Sequence, residues 1–397
     1  MNRQPRKTRQ RLAPTQGRIV RDIKKSILAG SWQCGDRLPT RAELIDRYDT
    51  SNVTLQKVMD TLLAEGFVET RGALGTFVSN SPPHLTRYGL VFPESRTHYF
   101  GPPSLFWQAL SEVAREFPVT ESCRLESYYD ALRGSNGEDH KRLIDDIEHH
   151  RLAGLVFASP PHALHGTPVL DAPDLSRVLI TPLDDFGGLP TVYPDYANFI
   201  RRSLEQFRTA NCRRLALLGV LPVPPDIQAL LERELAAGGM AIPAHWQQFP
   251  STYVPDAPRR AVHLLFANPA DRPDGLLIFD DNLVESAALG LLDAGIRVPE
   301  QARVVAHANF PLPVKTAVPV ERLGFDVSEL LHTCIELLRR QNEGQAVAAH
   351  TWLPVRLQAG NASRHSPLLG NLPPAAASTA TSSRATRTRP PAVPTLK

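Results

Sequence analysis

The chain has 397 residues, 42% of them hydrophobic and 21% charged, and at roughly 100 to 200 residues per domain this length implies two or three globular domains. Its 36 prolines point to many loops or unfolded ends. No run approaches about 18 apolar residues, which excludes a bilayer-spanning helix, and the basic N-terminus lacks the apolar stretch of a secretory signal, so a cytoplasmic location is expected.

Four cysteines, Cys34, Cys123, Cys212 and Cys334, lack the paired short spacings of a zinc site or a disulfide scaffold and read as reduced thiols. The net charge of +3 is unevenly placed. Residues 1–14 carry five bases and no acid, residues 15–80 nine bases against eight acids, residues 81–360 25 bases against 33 acids, and residues 361–397 five bases and no acid. A basic arm beside a near-neutral domain, joined to an acidic body, suits a protein that keeps one end on a polyanion. The last segment is built from Pro, Ala, Ser, Thr and Arg without periodicity and is expected to be a disordered tail, as is the 1–14 arm.

Between Arg18 and Ala29, Ile19, Ile23, Ile27 and Leu28 recur at helical spacing, and Gly30 follows as a stop. Thr40 and Glu43 form a capping box that opens a short second helix to about Tyr48. Ser51 caps a third, whose apolar face is Leu55, Val58, Met59, Leu62 and Leu63 and which Gly66 closes. Two helices about three residues apart, the second presenting Asn52, Val53, Thr54, Gln56 and Lys57 near its start, make a helix-turn-helix pattern. Two short strands around Gly72 and Gly75 add a wing.

These residues resemble the N-terminal winged-helix domain of the GntR family of bacterial transcription regulators over residues 15–80, through Gly-Asp-Arg-Leu-Pro-Thr at 35–40, Leu-x-x-Glu-Gly at 62–66 and Gly-x-x-Gly-Thr-Phe-Val at 72–78. The resemblance implies double-stranded operator DNA as partner, with Thr40, Arg41, Ser51, Asn52, Val53, Thr54, Gln56, Lys57, Gly72 and Gly75 as the candidate contacts. Three positions depart from it: the family commonly has DNA-touching arginines where this chain has Ala42, Asn52 and Gln56. Arg41 and Lys57 read as phosphate contacts. Asn52 and Gln56 read as adenine-directed amides, with the alternative that Asn52 only helps to cap the helix and Gln56 touches only phosphate.

After a linker at 81–86, apolar runs alternate with helical stretches from 87 to 360, as in RYGLVFP then FWQALSEVAREF, and DGLLIFD then LVESAALGLLDAG. The alternation predicts α/β lobes with parallel sheets, two of them given the length, and ligands of such folds bind outside the carboxyl ends of the strands. The run resembles the sensor domain of LacI-type repressors, itself similar to periplasmic sugar-binding proteins, best in VYPDYANFIRRSLEQFRTANCRRLALLG and in DGLLIFDDNLVESAALGLLDAGIRVPEQARVVAHAN. The family's Arg-x-x-Gly-Phe element is missing, and its Gly-Phe-Asp stands here as Ala306-His307-Ala308 with Asn309 next. The resemblance implies a homodimer whose effector sits between the lobes. The candidate effector contacts are Asp280, Asp281 and Asn309 on one side and Tyr99 and Phe100 on the other. Without the usual arginine an anionic effector is disfavoured, leaving a neutral sugar or sugar-like ligand as the expected partner.

His162 and His165 lack a third ligand in their loop, so no metal is expected. Asp184 with Asp185 and Asp280 with Asp281 could be paired catalytic acids, but read as well as acceptors for a polyol or an amine. Of the aromatic cluster Tyr99, Phe100, Phe106 and Trp107, part reads as core and part as a stacking surface. An enzyme fused to the reader, of the pyridoxal phosphate type, would need a Schiff-base lysine. Residues 81–360 hold only Lys141 and Lys315, neither in such a setting. The expectation is therefore a ligand-responsive regulator, a repressor on a palindromic operator, without catalytic residues or cofactor; the alternative is a sensor that has lost its effector and only dimerises.

Overall fold

The computed structural model describes residues 14–93, 104–120, 123–131, 137–181, 187–221, 223–254 and 256–358. Tyr99, Phe100, Asp184, Asp185, the arm at 1–13 and the tail at 361–397 lie outside them.

Residues 14–80 fold as their pattern dictates. Helix α1 (Pro14–Leu28) buries Ile19, Ile23 and Ile27, and Gly30 leaves it at φ 69°. Helix α2 (Arg41–Tyr48) opens on a complete capping box: Thr40 N donates to Glu43 Oε2 at 2.7 Å, and Glu43 N returns to Thr40 Oγ1 at 3.4 Å. Helix α3 (Asn52–Ala64) is capped by Ser51 and turns Leu55, Val58, Met59 and Leu62 inward. Strands β1 (Val68–Thr70) and β2 (Thr76–Val78) pair antiparallel around a short helical turn, Gly72–Leu74, and Arg37 bridges to Phe77 to widen the wing. Phe67, Tyr48 and Val78 complete this core. At 81–86, where the sequence predicts a plain linker, the chain makes a helical turn, α4 (Pro83–Thr86), because Pro83 sits at its first position with a preset φ and Thr86 Oγ1 donates back to Pro82 O at 3.0 Å.

The body has two parallel-stranded sheets. The first lobe is built from β3 (Arg87–Val91), α5 (Leu105–Thr120), β4 (Arg124–Tyr128), α6 (Glu138–Glu148), β5 (Gly154–Phe157), α7 (Pro168–Asp171), β6 (Ser176–Ile180) and β7 (Thr191–Pro194). The chain then crosses to the second through α8 (Tyr196–Thr209), β8 (Leu215–Leu218), α9 (Pro225–Ala237), β9 (Gln247–Gln248), α10 (Ala257–Phe266), β10 (Gly275–Ile278), α11 (Val284–Asp293), β11 (Arg303–Phe310) and β12 (Glu321–Asp326). It returns through α12 (Val327–Asn342) to β13 (His350–Leu353), then ends in the second lobe at β14 (Arg356–Leu357). Strand orders are β13-β7-β6-β5-β3-β4 and β14-β12-β11-β10-β8-β9, all pairs parallel except the antiparallel edge β14.

Central strands such as Gly154–Phe157 and Gly275–Ile278 are buried at every position, which is why they read as unbroken apolar runs. The short, polar edges β13 and β14 carry no such signal. One hydrophobic cluster runs through both lobes, joining Leu90 and Val156 of the first to Leu217, Leu277 and Leu323 of the second. Gly324 is dictated by close approach, since a Cβ there would lie 1.7 Å from the Ala308 carbonyl oxygen of the neighbouring strand. This crossing topology aims the carboxyl ends of both sheets at one cleft.

Candidate nucleic-acid interface and interlobe cleft

On the winged helix, Thr40, Arg41, Ser51, Asn52, Val53, Lys57 and Gly72 are exposed, with Thr54, Gln56 and Gly75 half-buried. Val53 is 69% exposed, an apolar side chain held out on a polar face. Ser51 Oγ accepts from Thr54 N at 3.2 Å and lies 3.0 Å from Thr54 Oγ1, so both hydroxyls are committed to the start of α3. Arg41 crosses from α2 to α3: it donates to Asn52 Oδ1 at 3.5 Å and, more closely, to Gln56 Oε1. Gln56 Nε2 in turn donates to Asp60 Oδ1 at 2.6 Å. Arg41, expected from the sequence to meet phosphate, thus holds both amides that stand where the family commonly has arginines. Gly75, at φ 111°, lets the wing close on Arg37, whose Nε would be 3.1 Å from a Cβ there.

The reader is fastened to the first lobe by buried charge. Lys24 of α1, 4% exposed, meets Glu65 Oε2 at 2.6 Å and donates to His149 O at 3.1 Å. Glu65 Oε1 is held at 2.8 Å by Arg151, 3% exposed, which also binds Asp146 Oδ1 at 2.6 Å and pairs with Asp145. Asp146 receives Tyr128 OH at 2.7 Å and Arg87 at 3.2 Å. Burial pushes the Lys24 ammonium below its ordinary pKa, with Glu65 opposing. Beside this chain of ions, His84 of the α4 turn stacks on Phe67, centroids 5.7 Å apart.

The cleft is a cavity of about 490 Å³ at the carboxyl ends of both sheets. Asp280, Asp281 and Asn309 line it together, as the sequence reading placed them. Phe106 and Trp107 line the wall of the first lobe. The strand ends also bring Tyr196, His307, Asn282, Ser159 and Thr181, which sequence reasoning did not assign. Of these only His307 stood out in the sequence, as a departure from the pattern it resembles. Asn309 Nδ2 donates to Asp281 Oδ2 at 2.7 Å. Asp280 Oδ1 accepts from Asn282 N at 2.9 Å and Asn282 Nδ2 at 2.7 Å. Across the cleft, Leu105 N at the start of α5 donates to Asn282 Oδ1 at 3.1 Å, a hydrogen bond from one lobe to the other.

Burial and then the neighbouring Asp280 raise Asp281 to about 7. Burial, then Asp280 and Asp281, push the Tyr196 hydroxyl up to about 12. His307, packed among Tyr196, Phe199 and Phe325, is held down to about 4 by burial, and neither ring nitrogen has a hydrogen-bond partner. Among the described residues no group of three or more His, Cys, Asp or Glu could hold a metal ion, and no helix is long and apolar enough to cross a membrane.

Residues 15–78 match the family described as bacterial regulatory proteins, gntR family, and residues 204–362 match the periplasmic binding protein-like domain. The chain thus joins a GntR-type winged-helix domain to a periplasmic-binding-protein-like sensor domain, an arrangement typical of bacterial transcription regulators. As such it is a ligand-responsive DNA-binding protein of a non-catalytic class. The chain is 24% identical over 353 residues to the arabinose metabolism transcriptional repressor of Halalkalibacterium halodurans, covering 81% of this chain and 89% of that protein. Over 66 residues it is 39% identical to the putative HTH-type transcriptional regulator RmpR of Mycobacterium gastri, 16% of this chain and 24% of the relative. In fold it is similar to a LacI family transcriptional regulator from Arthrobacter sp. FB24 in complex with lactose: TM-score 0.53 at 17% identity, covering 69% of this chain and 98% of that one.

Proposed function

We propose that this regulator is a cytoplasmic repressor that grips a palindromic operator as a homodimer and changes its grip when an effector fills the cleft. Its parts are a basic arm at 1–14, a reader at 15–80, a linker at 81–86, a sensor at 87–360 and a tail at 361–397. In the reader, Arg41 and Lys57 meet phosphate or order the reading side chains, Ser51 and Thr54 set the start of the recognition helix, and Asn52, Val53 and Gln56 face the bases. Thr40, Gly72 and Gly75 bring helix and wing backbone close to the duplex. In the sensor, Asp280, Asp281 and Asn309 hold the effector.

One observation carries this reading: Arg151, which holds the reader through Glu65, belongs to the same lobe that supplies Phe106 and Trp107 to the cleft. The reader docks at the amino end of β3 and the cleft opens at its carboxyl end, about 16 Å away for a five-residue strand. A rotation of the first lobe on ligand closure therefore carries the reader with it. In a dimer that rotation changes the spacing of two recognition helices, on which half-site fit depends. The lactose complex of the Arthrobacter regulator and the arabinose relative support a sugar-like effector.

The test is sedimentation and footprinting on selected DNA with and without candidate sugars. The expected result is one dimer per two-fold site with ligand-dependent release. A monomer that stays monomeric on its site, or occupancy that no cleft ligand changes, would overturn the respective part.

A further inference from the structure

The floor of the cleft carries two carboxylates and an unsatisfied imidazole. Asp281 is 4% exposed and lies next to Asp280, which also lines the cavity. Among the described lining residues there is no lysine or arginine to pair with either. A buried carboxylate left without a counter-charge is costly, and a ligand that brings the missing charge recovers that cost on binding. His307 is a second and independent sign. It is 8% exposed, lines the cavity, and both its nitrogens lack partners, so one donor and one acceptor await a ligand. Around these groups stand Ser104, Ser159, Thr181 and Asn309, which suit hydroxyls, and Trp107 with Phe279, whose faces attract a cation.

Resting on the reading that the cleft binds the effector, we propose that its ligand is a cationic amino-polyol: a compact hydroxylated ring whose ammonium meets Asp281 and Asp280 and whose hydroxyl meets His307. A ring of this kind fits a cavity of about 490 Å³. The ammonium supplies three donors, against the single donor of the hydroxyl it replaces, and Asp281 already accepts one bond from Asn309 at 2.7 Å.

The experiment compares matched pairs differing only by amine for hydroxyl: glucosamine with glucose, galactosamine with galactose, mannosamine with mannose, and an inosamine with inositol. Binding to the full chain is followed by calorimetry at neutral pH. In at least one pair the amine should bind ten times more tightly or better. Asp281→Asn should erase that preference, with Asp280→Asn as the milder second variant should the first fold poorly. His307→Phe should weaken the amine and its neutral partner alike. Neutral partners that bind as well as their amines overturn the amine class. So do silence across all pairs and amine binding indifferent to both aspartate variants. Trp107→Ala separates the two readings: a probe whose binding it leaves untouched is not in the cleft, and the cleft reading itself then fails.

Discussion

Arg151 and Glu65, 86 positions apart, meet at 2.8 Å across the boundary between reader and sensor, and Lys24 closes on the same carboxylate at 2.6 Å. One acid thus neutralises two nearly buried cations, one from each domain. Replacing Glu65 by Gln leaves both cations without that charge, a loss typically of about 3 to 5 kcal/mol in a fully buried pair and about 2 kcal/mol here, because Glu65 is 14% exposed. Denaturant unfolding should fall by that amount, and the reader should melt separately from the sensor. The surface pair Arg259 and Asp293, both a little over a third exposed, is the control: Asp293→Asn should leave stability unmoved. Equal effects at the two sites would refute the coupling role.

Base preference follows from the amides. Asparagine and glutamine pair with adenine through N6 and N7, whereas arginine reads guanine, each good contact being worth roughly 1 to 3 kcal/mol of discrimination. Selected sequences for the wild type should favour A·T at one or two half-site positions, and Asn52→Arg should move one of them toward G·C. Because Arg41 holds Asn52 Oδ1 and Gln56 Oε1, Arg41→Ala should blur the preference as well as weaken binding. Lys57→Ala should only weaken it, flattening the salt slope by about one unit. Identical selected sequences for wild type and Asn52→Arg would remove Asn52 from the reading surface.

The cleft predicts two opposed pH effects. Asp281 is raised to about 7, so between about pH 4 and 7 the folded chain holds a proton that the unfolded chain, with an ordinary aspartate near 3.9, has lost; its cost to stability builds as pH rises through that range and is complete above about 7. His307 is lowered to about 4, so its contribution is complete above about 6.5 and disappears as pH falls toward 4. Asp281→Asn should therefore raise the melting temperature at pH 8, with the gain gone by pH 4. His307→Phe should flatten the acid limb between pH 6.5 and 4. A gain from Asp281→Asn that is the same at pH 4 and pH 8 would contradict the assignment.

Local signals made the reader legible. The Thr40 and Glu43 box, the Ser51 cap and the isoleucine spacing of α1 each act within a few residues, and each stands where its pattern put it. Asp280, Asp281 and Asn309 owe their place to the resemblance to LacI-type sensors together with strand ends, which are readable where apolar runs stop at polar residues. Tyr196 and the Lys24–Glu65–Arg151 chain were not, because a contact between positions 65 and 151 leaves no trace in either neighbourhood. His307 was noticed only as a departure from a family pattern. Its significance needed the burial and the two orphaned nitrogens that folding creates.

Asn282 ties the lobes together, and its removal should open them. Its Oδ1 accepts from Leu105 N at 3.1 Å while its Nδ2 donates to Asp280 Oδ1 at 2.7 Å, so one amide fixes the first turn of α5 and the acid beside Asp281. Asn282→Ala deletes both bonds but keeps Asp280 as acceptor for the backbone N–H at 282. The freed Leu105 N–H belongs to a helix start, where water can satisfy it, so the loss is that of ordinary hydrogen bonds, about 1 kcal/mol each. That is small against global stability and large against a lobe equilibrium, where it shifts the open-to-closed ratio about fivefold to tenfold. Hydrogen exchange at the Leu105 amide should accelerate by that factor, while amides in the centre of α12 exchange at the wild-type rate. Acceleration spread evenly over both helices would mean general loosening, and an unchanged Leu105 amide would mean that this bond does not hold the lobes.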